Sequence, residues 1–182
     1  MSHLENPGRI LVVDDNPQLL SGISRNLRRI IPVVTANSGT EALALLRADR
    51  EFSIIISDMR MPGMDGAQFF AEVRFLVPDA VRILLTGQAE MASVIAAINE
   101  GRIYRFLSKP VDFEDLRTVV GAAMAHYRLQ QAEAREKVAL LRRQVDRVED
   151  LLALSSIAAW GQAARTRHLA ALLAEHLGLA DV

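Results

Sequence analysis

The chain has 182 residues and a formal net charge of −1. Half of it is apolar, and six Phe, two Tyr and one Trp are its whole aromatic content. That leaves room for one α/β domain of ordinary size and an appendage, with a core built from Ala, Leu, Val and Ile. The balanced charge argues against direct nucleic-acid binding, and the lack of cysteine excludes disulfides and thiolate chemistry. With no signal-like N-terminus and no apolar run near the ~18 residues of a membrane span, a soluble cytoplasmic protein is expected.

Arg9-Ile-Leu-Val-Val13 is a short apolar run ending in Asp14-Asp15, which reads as a buried parallel strand. Asn16-Pro17 supplies an N-cap and a proline for the first helical position, and Leu19, Leu20, Ile23, Leu27 and Ile30 follow at helical spacing. Val33 to Ala36 reads as a second strand. Ser38 caps a helix bearing Ala42, Leu45 and Leu46, and Phe52 to Ile56 is a third buried strand that delivers Asp58 just past its end. Met61-Pro-Gly-Met-Asp-Gly66 is turn chemistry before a helix with Phe69, Phe70, Val73 and Leu76. Val81 to Leu85 is the fourth strand, running into Thr86-Gly87, and a helix is predicted over Glu90 to Glu100. Ile103 to Leu107 is the fifth strand, ending at Ser108-Lys109-Pro110, and Asp112 caps the next helix.

Five strands alternating with helices imply an α/β fold with a parallel sheet covered on both faces. Asp14, Asp15, Asp58, Thr86 and Lys109 then all lie at strand carboxyl ends, which share the edge where such sheets bind ligands. Of the 21 basic residues, Lys109 and Lys137 are the only lysines, so a compact cation at that edge stands out. Three carboxylates there repel one another unless cations join them. Lys109 brings one charge, and a hard divalent ion with oxygen ligands, Mg²⁺ above all, would bring the rest. An ion, a lysine and a hydroxyl suit phosphoryl transfer, which needs mainly positioning and charge neutralisation.

From Arg9 to about Tyr127 this pattern resembles the receiver domains of bacterial two-component response regulators. The resemblance implies a flavodoxin-like, doubly wound sheet of order 2-1-3-4-5. It implies Mg²⁺ held by Asp14, Asp15, Asp58 and the main-chain carbonyl of Arg60. It makes Asp58 the phosphoacceptor, Thr86 and Phe106 the switch pair, and Lys109 the partner of a phosphoryl oxygen, ahead of a cis peptide to Pro110. Arg60, Gly87 and Gln88 would border the phosphoryl group, and the donor would be a histidine kinase or phosphotransfer protein. No enzyme activity is expected beyond self-phosphorylation and self-dephosphorylation. A haloacid-dehalogenase-type hydrolase, which wants a second Asp two residues after the first, meets Arg60 there instead. Phe106 lacks the hydroxyl of the more usual Tyr, the Gly101–Phe106 spacing is one residue longer than the commonest pattern, and Tyr104 reads as surface.

The helical pattern continues past the point where such a domain ends. Tyr127, Gln131, Ala134, Val138, Leu141, Val145, Val148 and Leu152 recur at alternating spacings of four and three. That is a coiled-coil seam with Val at a, and it predicts a homodimer through the tail, although Lys137 would face Arg142 of a parallel partner. Ser155-Ser156 and Gly161 interrupt the seam, and a last helix is predicted from Gln162 to His176. The resulting organisation is a domain at 1–126, a coiled-coil helix at 127–154 and a short helical tail at 155–182. Arg165 to Leu179 faintly resembles the opening helix of HD-GYP cyclic-dinucleotide phosphodiesterases, without their His-Asp pair. This leaves open a regulatory front of a larger phosphodiesterase, or a dimeric adaptor, as alternatives.

Overall fold

The computed structural model describes residues 8–87, 103–155 and 160–176. The helix predicted over Glu90 to Glu100, and Gln88, lie outside these residues. Five strands, β1 (Arg9–Val13), β2 (Val33–Ala36), β3 (Phe52–Asp58), β4 (Val81–Thr86) and β5 (Arg105–Ser108), form one parallel sheet of order β2-β1-β3-β4-β5. The helices are α1 (Pro17–Leu27), α2 (Gly39–Ala48), α3 (Gly66–Leu76), α4 (Phe113–Ser155) and α5 (Trp160–His176). By packing, the chain divides into two compact units, Met1–Gln130 and Gln131–Val182.

Strand alternation sorts the core of the first unit into two layers. Leu11, Val13, Ile55 and Leu84 face one side, where they meet Leu43 and Leu46 of α2 and Phe69, Phe70 and Val73 of α3. Ile10, Val12, Ile54, Ile56, Ile83 and Leu85 face the other, against Leu20, Ile23 and Leu27 of α1 and Leu116, Val120 and Ala123 of α4. β3 is buried along its whole length, as expected for a central strand with both faces covered.

The local signals act where they were expected. The Asn16 side chain accepts hydrogen bonds from the Gln18 and Leu19 amides, and Ser38 caps α2. Asp65 and Gln68 form a reciprocal capping box at the start of α3.

Several boundaries differ from the sequence expectation. α1 stops at Leu27 with Arg28 as its C-cap, and Pro32 disfavours helical backbone at Ile31 beyond it. Ile30 is therefore 54% exposed, and Ile31 takes the buried place instead. β3 continues through Asp58, paired to Leu85 of β4. β5 starts at Arg105, two residues late, although the Tyr104 amide already donates to the Arg82 carbonyl. Tyr104 is half-buried and stacks on His126 with ring centroids 4.9 Å apart, so it is a packing residue.

α4 has 43 residues. Leu141, Val145 and Val148 of the predicted seam are exposed and Val138 is half-buried; the surroundings of Leu152 lie outside the described side chains. α5 begins at Trp160, slightly before the expected Gln162. No helix of the described residues is long and apolar enough to cross a membrane.

Gly66, the first residue of α3, offers a direct test of how the fold sets up the carboxyl edge. Its amide donates to the Met59 carbonyl at 2.9 Å, and an added Cβ would stand 2.4 Å from the Asp58 carbonyl oxygen and 3.0 Å from Met59 Cα. Backbone cannot yield as a side-chain tip can. Gly66→Ala is expected to cost about 2 kcal/mol or more in urea unfolding. A midpoint equal to wild type would contradict this close approach.

Candidate functional site

Asp14 follows β1, Asp58 ends β3, Thr86 ends β4 and Lys109 follows β5, so four crossovers deliver them to one edge of the sheet. The structure brings together the acidic residues singled out in the sequence. Asp14, Asp15 and Asp58 each point one carboxylate oxygen into a cluster whose atoms lie within 4.8 Å of one another. Asp14 is fully buried, Asp58 is 6% exposed, and Asp15 is exposed.

Lys109 ties the cluster together. Its Nζ lies 2.8 Å from Asp14 Oδ2 and 2.8 Å from Asp58 Oδ1. Its own amide donates to the Thr86 carbonyl at 2.7 Å, which anchors the loop after β5 to the end of β4, and the Lys109–Pro110 peptide is cis. The other oxygen of Asp14 accepts the Asn16 amide at 2.8 Å. Asn16 thus serves twice, its side chain capping α1 while its backbone fixes the buried carboxylate. Asp14 and Asp58 are ion-paired and hydrogen-bonded, the condition under which buried carboxylates are tolerated.

Burial pushes the Asp58 carboxyl above its ordinary pKa, and the Asp14 charge adds to the rise. The hydrogen bond and positive charge of Lys109 pull back but do not cancel it. For Lys109, burial works against the ammonium, yet its bonds to Asp14 and Asp58 outweigh that and leave its pKa raised. One ammonium against three carboxylates leaves the cluster two negative charges in excess when all are ionised. An all-oxygen donor set with that excess fits a hard divalent cation of the Mg²⁺ type.

Thr86 is 2% exposed and its Oγ1 donates to the Gly87 carbonyl at 3.2 Å. Phe106 is 40% exposed on β5. Gly87 directly follows Thr86 and Arg60 follows Met59 in the β3–α3 loop, where Arg60 is exposed. Two contributors escaped the sequence reading. Ser57 is fully buried and donates to the Asp58 carbonyl at 2.9 Å, and Gly66 permits the backbone approach described above. The hydroxyl one residue before Asp58, inside an otherwise Ile-rich run, was the available signal for Ser57.

Comparison with known proteins agrees with this architecture. The profile of the response regulator receiver domain matches residues 10–121. The hydrogenase transcriptional regulatory protein HoxA of Bradyrhizobium diazoefficiens is 37% identical over 124 residues, covering 68% of this chain and 25% of that protein. A crystal structure described as adenylate cyclase from Rhodopirellula baltica is similar with a TM-score of 0.68 and 38% identity, over 74% of this chain and 97% of that one. The signal receiver domain of an HD domain-containing protein from Pseudomonas fluorescens Pf-5 gives a TM-score of 0.67 and 32% identity, over 72% and 97%. The chain spans about a quarter of the length of the curated relatives it matches. By sequence and by fold alike, the chain belongs to the response regulator receiver family of two-component signalling.

Proposed function

We propose that Asp58 is the phosphoacceptor of this receiver, charged by a histidine kinase or phosphotransfer protein. The observation that carries the reading is the bridge of Lys109 between Asp14 and Asp58, 2.8 Å to each, inside a cluster of three carboxylates. A carboxylate oxygen of Asp58 attacks the phosphorus of a phosphohistidine, the phosphorus–nitrogen bond breaks, and an acyl phosphate forms. Lys109 is near enough to pair with an arriving phosphoryl oxygen, and the Thr86 hydroxyl would turn from its carbonyl partner toward the same group. Asp14, Asp15, Asp58 and the Arg60 carbonyl would hold Mg²⁺, which supplies neutralisation of charge on the phosphoryl oxygens. The added phosphoryl group brings roughly −1.5 to −2 charges at neutral pH. Thr86 and Phe106 act as the switch, with Arg60, Gly87 and Gln88 bordering the phosphoryl group and setting the access of water to it.

The output belongs to the helical extension. We read 1–126 as the receiver, 127–154 as a signalling helix and 155–182 as a short helical tail. The exposed seam of α4 pairs with another helix, in a second copy or in a partner, and phosphorylation shifts that pairing. A second reading has one specific observation in its favour, the similarity to the receiver of an HD domain-containing protein. In that reading the chain is the regulatory front of a larger cyclic-dinucleotide phosphodiesterase, and α5 opens its output domain.

Incubation of the full chain with Mg²⁺ and a small phosphodonor, followed by intact-mass spectrometry, is expected to add one phosphoryl group. Asp58→Asn is expected to lower labelling at least about 100-fold, since it removes the nucleophile itself. Equal labelling of wild type and Asp58→Asn would overturn the assignment.

A further inference from the structure

β3 is a run of Phe and Ile interrupted by two serines, and the second of these, Ser57, stands directly before Asp58. Strand alternation puts Ser57 on the same face as Ile55, in the layer covered by α2 and α3. Its lateral neighbours there are Val13 of β1 and Leu84 of β4, both fully buried, and Ser57 is itself 0% exposed. A hydroxyl in such a layer costs stability unless it is hydrogen-bonded, whereas alanine has no polar group to satisfy.

The Ser57 hydroxyl donates to the Asp58 carbonyl at 2.9 Å. On the other side of that peptide, the Met59 amide donates to the Leu85 carbonyl at 2.9 Å. The Asp58–Met59 peptide is thus held by both of its polar groups, one bond within β3 and one to β4. Gly66 closes against the same carbonyl and leaves no room there for a Cβ. A fixed peptide plane fixes the Cα of Asp58, from which the carboxylate reaches Lys109 Nζ at 2.8 Å. Ser53, the other serine of β3, donates instead to the Arg9 carbonyl at the opposite end of the sheet.

We propose that Ser57 is a positioning residue for phosphoryl transfer, acting through the backbone of Asp58 to hold its carboxylate in line with phosphorus. The proposal rests on the reading of Asp58 as the phosphoacceptor. In transfer from acetyl phosphate, an Asp58 oxygen bonds to phosphorus while the bond from phosphorus to the acetate oxygen breaks and acetate leaves. Ser57 touches none of these atoms. Without its hydrogen bond the peptide is held from one side only, and the carboxylate samples positions away from attack. Misplacement by about 1 Å can cost ~10²-fold in rate.

The test follows acyl phosphate formation on the full chain by intact mass, with acetyl phosphate and saturating Mg²⁺. Rates are taken per folded molecule, with the folded fraction from far-UV circular dichroism. Ser57→Ala is expected to lower the maximal rate about 10-fold and leave the half-saturating concentration of acetyl phosphate unchanged. Ser57→Thr, which keeps the hydroxyl, is expected to stay within about threefold of wild type. A hydroxyl that only satisfies itself predicts another result, a shifted melting temperature with an unchanged rate per folded molecule. That result for Ser57→Ala would overturn the proposal, as would a change confined to the half-saturating concentration. So would a Ser57→Thr chain that folds yet is as slow as Ser57→Ala. Wild type labelled at a residue other than Asp58 would instead sink the phosphoacceptor reading, which an unchanged rate in Ser57→Ala leaves standing.

Discussion

Lys109→Ala is expected to destabilise the metal-free protein by about 3 kcal/mol at neutral pH, measured by urea unfolding. The lysine touches two carboxylates that are almost wholly withdrawn from water, Asp14 and Asp58. Removing one partner of a buried ion pair leaves charge without compensation, and here two carboxylates lose their cation together. The loss is bounded in two ways. The lysine side chain is 28% exposed, so solvent already shares the pair, and Asp58 can take up a proton more easily once the ammonium has gone. The deficit should therefore shrink in acid, where the carboxyls are neutral, and in millimolar Mg²⁺, which brings positive charge back. Lys109→Arg should recover part of the stability and little of the phosphoryl transfer, because a planar guanidinium cannot occupy a point-charge position between two oxygens. Equal urea midpoints for Lys109→Ala and wild type, with and without Mg²⁺, would contradict a structural role for the bridge.

The second large effect has the opposite sign. Asp58→Asn is expected to raise the melting temperature of the metal-free protein by ~4 °C or more at pH 7. Burial holds the folded-state pKa of Asp58 above its ordinary value of 3.8. The folded protein thus binds this proton more tightly than the unfolded chain does. Asp58 is harmless to stability below its unfolded value and costs stability as pH rises through the window up to the folded value, beyond which the cost is constant. Asparagine carries no such cost, so its advantage should vanish below the ordinary value of 3.8 and grow as pH rises through the folded value of Asp58. Mg²⁺ should stabilise wild type and narrow the gap, since a cation favours the ionised carboxylate. Asp15→Asn, at an exposed position, should leave metal-free stability nearly unchanged while blunting the response to Mg²⁺. A melting temperature that does not change with Asp58→Asn across this range would contradict the buried, strained charge.

Much of this site could be read from the chain alone because strands and turns announce themselves locally. Four of the five short apolar runs lead to Asp14, Asp58, Thr86 and Lys109, and topology alone carries such ends to one edge. Strand order came from family resemblance, since alternation of strands and helices is compatible with several orders. Contacts were harder. That Lys109 bridges Asp14 and Asp58 depends on the tether between its amide and Thr86, a link between β4 and the β5 loop that no local pattern encodes. The double use of Asn16, as cap and as donor to Asp14, is likewise visible only when the loop after β1 is folded. The end of α1 at Leu27 is not legible from spacing, which carries Ile30 into the helical pattern, and Pro32 restrains only Ile31. For the extension, spacing revealed the seam, and Leu141, Val145 and Val148 are exposed along it.

The central claim is a chemical one, that the carboxylate at position 58 carries the phosphoryl group. Acyl phosphates are reduced by borohydride to the alcohol, which would mark the modified aspartate as homoserine in a peptide map. After reaction with a small phosphodonor and Mg²⁺, the mark is expected at residue 58 and nowhere else, and it should disappear when the metal is chelated. A mark at Asp14 or Asp15, or phosphate retained on a histidine instead, would contradict the account.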